Sequence, residues 1–347
     1  MKKFPLILFA VFTTICTVKA QELESILLAK EDASKLTKAY ISPAMKGLIY
    51  SMNNGWYHTA KVHKKFGFDI TIGANASFVP SKDEIFNLTT LNLSNHTKIT
   101  NNVTSSSTVA GSKNNSLTEL KYETSIKGQK VSANFTLPQG IKKDLPASAI
   151  PTPAIQIGVG LPFKLDAIIR YIPQIGSTDV KGNLLGIGIK KEITSLFGPI
   201  DKTPLHVSIV AGYTKMTVDY RIGDINQSVK AQNAVAQFEL NSYTVQAIAS
   251  INFPFINFYG GAGYNGGTTK LNMKADSDFI AIYQVENYPT ISIQENLGKN
   301  PISLNQVTKG FNATIGTRLS LGFFNVFASY TLQEYNSVNA GIAFSFR

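Results

Sequence analysis

The feature that most constrains this chain is a two-residue rhythm. Over 66–78 the residues Phe66, Phe68, Ile70, Ile72, Ala74, Ala76 and Phe78 are apolar, and the residues between them include no large apolar side chain. Successive side chains of a strand point to opposite faces, so this segment has one greasy face and one polar, glycine-bearing face. The rhythm returns over 155–161, 205–213, 243–253, 311–319 and 338–346. Short turns at 161–164, 253–255 and 322–323 join neighbours and predict antiparallel hairpins. Longer polar stretches, 95–116 and 287–307, separate others.

Alternation alone suits a soluble β-sandwich, apolar face inward, or a membrane barrel, apolar face outward. Three observations favour the barrel. The apolar faces run for 10–14 residues, where ordinary strands average about 5–6. The opposite faces carry Gly, Ser, Thr and Asn rather than Lys and Glu, as a lumen would. Phe253, Phe255, Phe258, Tyr259, Phe323, Phe324 and Tyr330 gather near strand ends, where aromatic girdles lie. In lipid, every backbone polar group needs an internal partner, which a closed sheet supplies. Membrane strands of ~9–11 residues, with loops, divide 347 residues into about 12–14 strands. The expected fold class is therefore all-β: an antiparallel transmembrane β-barrel of about 12–14 strands over 66–347.

The first 65 residues differ. Lys2 and Lys3, an apolar run over 4–15 and the small-residue exit Val18-Lys19-Ala20 have the layout of a secretory signal peptide over 1–20. Cleavage there removes Cys16, the only cysteine, and excludes disulfides and thiol chemistry from the mature chain. It also removes three lysines, so the charge falls from +11 to +8. Helical spacing marks 22–48, with Ser42-Pro43 expected to interrupt it. A turn-rich aromatic cluster with the only tryptophan, Asn53-Asn54-Gly55-Trp56-Tyr57-His58, follows. Residues 21–65 are thus expected to form an N-terminal helical and coil segment ahead of the barrel.

Catalytic motifs do not build up. Gly261-Ala262-Gly263-Tyr264-Asn265-Gly266 fits G-x-G-x-x-G, but strand-like sequence follows where a dinucleotide site needs a helix N-terminus. His58 and His63 lack the acid and spacing of a metal pair. His206 and Ser208 share the polar strand face, yet no orienting residue accompanies them. Lys142-Lys143 and Lys190-Lys191 are the densest basic pairs and read as a solvated rim; without interleaved aromatics they do not make a nucleic-acid surface. The expectation is a non-enzyme with no cofactor, no metal and no nucleic-acid partner.

Several of these segments carry a resemblance. Residues 54–60, the hairpin Val159-Gly160-Leu161-Pro162-Phe163 leading to Arg170-Tyr171-Ile172-Pro173, Ala211-Gly212-Tyr213-Thr214, residues 259–265 and the ending 335–347 resemble an uncharacterised family of Bacteroidota proteins regarded as outer-membrane barrels. More distantly, the chain is similar to long-chain fatty-acid transporter-type barrels, which have fourteen strands, an N-terminal hatch in the lumen and a lateral opening for apolar solutes. The hatch triplet Asn-Pro-Ala is absent; Ser42-Pro43-Ala44 is the nearest match. The resemblance implies that 21–65 plugs the barrel, with Trp56, Tyr57, His58 and His63 as lumen or hatch ligand-binding candidates. It implies outer-membrane lipid and lipopolysaccharide as surroundings in a Gram-negative bacterium, and barrel-assembly machinery reading the C-terminal Phe346. The function implied is passive uptake of small apolar solutes. The alternative is a non-transporting surface or structural protein serving adhesion or envelope integrity.

Overall fold

A computed structural model describes residues 24–113, 117–226 and 228–346; the expected signal segment 1–20 lies outside the described residues. A 3-10 stretch, Glu24–Asp32, leads into helix α1 (Ala33–Met52) and an extended segment. After β1 (Phe68–Ser77) come five short strands: β2 (Ile85–Asn87), β3 (Thr97–Ile99), β4 (Ser105–Ser107), β5 (Glu119–Ile126) and β6 (Gln129–Thr136). The chain then forms β7 (Ile150–Leu161), β8 (Leu165–Gly176), β9 (Val180–Glu192), β10 (Leu205–Asn226), β11 (Val229–Asn252) and β12 (Ile256–Lys274). It ends with β13 (Phe279–Val285), β14 (Tyr288–Gly298), β15 (Ser303–Leu321), β16 (Phe324–Leu332) and β17 (Ser337–Phe346).

Ten of these strands close a ring. β1 pairs with β7, each strand from β7 to β12 pairs with the next, β12 pairs with β15, and β15, β16 and β17 follow in order. β17 closes on β1 with Phe346 opposite Phe68 and Ser337 opposite Ser77. Every pairing is antiparallel. The ring thus holds ten strands, where division of the length predicts 12–14. That division assumes strands of membrane length, whereas β10 and β11 run for 22 and 24 residues. The segments 80–140 and 275–300 also leave the ring altogether.

The pleat is inverted relative to a soluble protein. On β9, Leu185, Ile187 and Ile189 face out at 48–61% exposure, while Leu184, Gly186 and Lys190 are buried. Asp69, Thr71, Asn75 and Ser77 of β1, and Thr244, Gln246 and Ser250 of β11, are buried inside the ring. The outward face changes character at a belt of aromatic residues. On β10 it reads Val207, Ile209, Ala211, Tyr213, then Lys215, Thr217, Asp219 and Arg221. On β11, read in reverse, it is Ile251, Ala249, Ala247, Val245, Tyr243, then Asn241, Glu239 and Gln237. Phe311 of β15, 81% exposed, is likewise followed outward by Lys309. From the turns to this belt is about eight residues, and tilted strands rising ~3.3 Å per residue cover roughly 20–25 Å over that length, the height of a barrel's apolar band.

Beyond the belt a second layer begins. β13 joins the end of β11 through Val229 and Lys230, and carries β14 on one side and β6, β5 and β3 on the other. This side sheet, with Glu24–Asp32 against it, forms a lid that has an ordinary apolar core: Ile26, Leu27, Leu28, Tyr122, Phe279 and Tyr283 are each at most 1% exposed. Asp32 ties the lid to the start of α1. Its carboxylate accepts from the Ser94 amide and hydroxyl, from the Thr97 hydroxyl at 2.7 Å and from Lys35 Nζ.

Helix α1 passes through Pro43 rather than stopping at Ser42-Pro43. Proline removes one intrahelical donor, and the surroundings bond the loosened turn. The Tyr40 carbonyl accepts from the Val109 amide, and Gln306 both accepts from the Ser42 hydroxyl and donates to the Ser42 carbonyl. Enclosure on all sides thus overrides the local preference of the sequence.

Candidate functional site

The lumen is filled in layers by α1 and the segment 53–66. Nearest the lid, Ile49 and Met52 pack against Ile172, Leu184, Met216 and Leu240, all inward-facing. The helix then ends on Arg170 of β8. Its guanidinium, fully buried, donates to the carbonyls of Met52 (2.9 Å) and Asn54 (3.1 Å) and to Gln156 Oε1 (3.1 Å). The last carbonyls of a helix lack intrahelical donors and carry partial negative charge, so a buried cation there is matched to its site. The same guanidinium lies 4.2 Å from the centroid of the Trp56 ring.

Trp56 occupies a slot without side chains. A Cβ placed on Gly188 or Gly212 would sit 2.6 Å or 2.5 Å from the indole. Those glycines therefore allow a strand wall and an indole to touch. Tyr57 is seated the same way: a Cβ on Gly261 would meet its hydroxyl at 2.6 Å, and that hydroxyl donates to Gln246 Oε1. The G-x-G-x-x-G match is thus part of strand β12, with its first glycine making room for Tyr57.

At the turn end a charged network replaces the apolar packing. His58 Nε2 lies 3.0 Å from Asp69 Oδ2, and its Nδ1 lies 3.1 Å from Arg318 Nη1. A guanidinium only donates, so Nδ1 accepts and Nε2 carries the proton donated to Asp69. His63 Nδ1 lies 3.1 Å from Asp166 Oδ2, which also receives Lys190 Nζ at 3.0 Å. Lys190 is therefore inside the ring and Lys191 outside, because consecutive strand residues face opposite ways. The two do not form one solvated rim. Glu192 accepts from the Val62 amide and pairs with His206 Nδ1 at 3.1 Å, and Ser208 donates to the Ala60 carbonyl. His206 and Ser208 thus hold the inserted segment against the wall.

The four candidates Trp56, Tyr57, His58 and His63 come together around a space of only about 10 Å³, with Asp69, Gln156, Asp166 and Lys190. Among the described residues, no group of three or more His, Cys, Asp or Glu is arranged to hold a metal. The larger apolar cavity lies elsewhere. It measures about 100 Å³ and is walled by Ala44 and Leu48 of α1, Val109 after β4, Ile141 and Leu145 between β6 and β7, Pro151 and Pro153 of β7, and Met216 of β10. Its only polar lining residue is Thr152.

The ring wall beside this cavity is incompletely paired. β7 and β8 pair only from Gln156 opposite Arg170 down to Leu161 opposite Leu165. Above that level, 150–155 and 171–176 continue as strands without a shared ladder. Pro151, Pro153 and Pro173 have no N–H to donate there, and the β8–β9 register shifts between Ile172 and Ile175. Arg170, which ends the helix, and the prolines, which leave the β7–β8 ladder short, are structural features that residue-type motifs missed. The available signal was a single Arg inside an apolar strand and a Pro-x-Pro pair at a strand start.

A closed antiparallel ring with an apolar, aromatic-bordered exterior and a polar interior defines a transmembrane β-barrel of the bacterial outer-membrane type. The chain itself belongs to the family of unknown function DUF6588, whose pattern matches residues 1–346. No curated protein matches the sequence. Among solved structures, it is similar to Ail, the attachment invasion locus protein of Yersinia pestis, at 8% identity, covering 82% of this chain and 100% of that one, with a TM-score of 0.26. It is also similar to the translocator domain of the autotransporter NalP from Neisseria meningitidis, at 9% identity over 92% and 99% of the two chains, with a TM-score of 0.24. The toluene transporter TbuX of Ralstonia pickettii matches at 10% identity over 82% and 90%, with a TM-score of 0.17.

Proposed function

We propose that this protein resides in the outer membrane of a Gram-negative bacterium and admits small apolar solutes sideways, between its apolar cavity and the bilayer. The observation that carries the reading is the coincidence of two features at one place. The apolar cavity is walled by Pro151 and Pro153, and the same residues belong to the part of β7 that has no ladder to β8. An axial aqueous pore is not part of the proposal, because Trp56, Tyr57, Arg170 and the charged network occupy the lumen. Phe346, at the end of β17, is the residue the barrel-assembly machinery would read in this scheme.

The test is uptake of a small neutral hydrocarbon into proteoliposomes by Ile155→Cys/Tyr171→Cys, oxidised and reduced. In the β7–β8 register these two positions would face each other one step above the last pair. Uptake should fall to the protein-free level on oxidation and return on reduction. Equal uptake in both states rejects the lateral route.

A second reading, a non-transporting surface protein, is supported by the filled lumen and by a lid with its own packed core. It predicts no protein-dependent uptake in either redox state.

A further inference from the structure

We propose that Lys64, Lys65 and Lys191, with Phe66 and Phe163, form a binding site for the headgroup of an anionic phospholipid in the leaflet at the turn end of the barrel. The proposal rests on the outer-membrane reading above, in which short turns face the periplasm.

Four elements bring these residues side by side. The Phe66 amide donates to the Gly160 carbonyl, and the Gly160 amide donates to the Gly67 carbonyl, so 64–67 lies along the end of β7. The hairpin after β7 carries Phe163, and its return strand places Leu165 opposite Lys191 of β9. Lys191 Nζ donates to the Phe163 carbonyl, leaving its other protons for an outside acceptor. Lys65 Nζ lies 5.2 Å from the centroid of the Phe66 ring. All three lysines are exposed. The nearby carboxylates Asp166 and Glu192 turn inward and are buried.

Two further observations point to a ligand. Phe66 and Phe163 are 71% and 88% exposed, yet both have φ of 65°. Left-handed backbone is an outlier for a bulky aromatic, and Gly or Asn is the usual occupant. The turn between β15 and β16 meets the same demand with Gly322, at φ of 66°. Keeping phenylalanine at two such positions and aiming it outward serves contact with something outside the fold. Two other short turns at this end, Phe253-Pro254-Phe255 and Leu321-Gly322-Phe323, carry no charge. Directly above the patch lies the lipid-facing stripe of Ile157, Ile169, Ile187 and Ile189. Rings at the acyl boundary with ammonium groups beside them match a phosphate bearing net negative charge.

The test uses the full chain in phosphatidylcholine bilayers containing a minor fraction of lipid with brominated chains. Phe163→Trp is the reporter at the patch and Ile187→Trp the reference on the open lipid face. Brominated phosphatidylglycerol should quench the patch reporter at least threefold more than brominated phosphatidylcholine, with no such preference at the reference. Lys64→Gln, Lys65→Gln and Lys191→Gln should each lower the preference, by up to roughly fivefold for a lysine at the surface. About 1 M salt, where the screening length is ~3 Å, should abolish it. Equal quenching by the two lipids at the patch overturns the proposal, as does displacement of the preference by millimolar inorganic phosphate. No quenching of the reference by either lipid rejects the membrane reading instead. In each lysine variant, quenching of the Ile187→Trp reference verifies insertion, and an inserted Lys65→Gln variant that keeps the full preference also overturns the proposal.

Discussion

The barrel wall and the lid are built from the same kind of strand with opposite solvents. In the wall, Ile187 is 61% exposed and Ser208 is fully buried; in the lid, Phe279 and Tyr283 are fully buried. β10, β11 and β12 belong to both regions, and their outward faces switch from apolar to polar beyond Tyr213, Tyr243 and Tyr264, where Lys215, Glu239 and Lys270 follow. The difference teaches that strand pattern reports which medium lies outside, and that one strand can pass from one medium to the other without a break.

The sharpest challenge to this division is Phe279→Ala. Removing a fully buried aromatic from a soluble-type core should cost ~3–5 kcal/mol. The loss should appear as fast hydrogen exchange in β13 and β6, with the heat-modifiable gel shift of the closed ring retained. Loss of the gel shift would mean that the lid and the ring are one cooperative unit. Next in size is Ile187→Lys, which puts a charge on the lipid face and should cost about 2–4 kcal/mol in a folding titration into lipid vesicles.

Asp32 gives an intermediate effect with a pH signature. Burial acts to raise its carboxyl, but hydrogen bonds from Ser94, Thr97 and Lys35 outweigh this and hold it below the usual range. A group whose folded pKa is depressed stabilises above its unfolded value and loses that contribution as pH falls through the folded value. Lid protection should therefore be full above the ordinary carboxylate range and decline in acid below it. Asp32→Asn should lose about 1–3 kcal/mol near neutral pH and flatten the acid dependence, read by protease cleavage at 92–100 across pH. The smallest effect is the control: Asn183→Lys, on the same face of β9 four residues from Ile187, should stay within about 0.5 kcal/mol. A cost equal to that of Ile187→Lys would move the lipid boundary above Tyr213 and merge the two regions.

The wall was legible in the sequence because its period is two and its faces differ so clearly; 66–78, 205–213 and 243–253 read directly as strands with an outward greasy side. The lid was not, because Thr97–Ile99 is three residues long, too short to display a period, and β13 sets Ile280 and Ile282 between the buried Phe279, Ala281 and Tyr283, so apolar and polar positions do not alternate. The strand count depended on that distinction. Trp56, Tyr57, His58 and His63 stood out by type and local setting. What held them, Arg170, Asp69, Asp166, Lys190 and Glu192, was scattered over β1, β8 and β9, and only ring closure brings these residues together. Pro43 misled for the same reason, since its compensating partners Val109 and Gln306 are distant in sequence.

Residues 24–32 are locked into the lid, while Phe68 starts the first wall strand at the opposite mouth, so the polypeptide between them is threaded through its own hoop. The seam between β1 and β17 must then be sewn around a strand of chain already in place, or the free end must be drawn across before the hoop tightens. A bulky folded tag fused upstream of residue 24 would have to make that crossing too, whereas one appended after residue 347 would remain on the side where the seam ends.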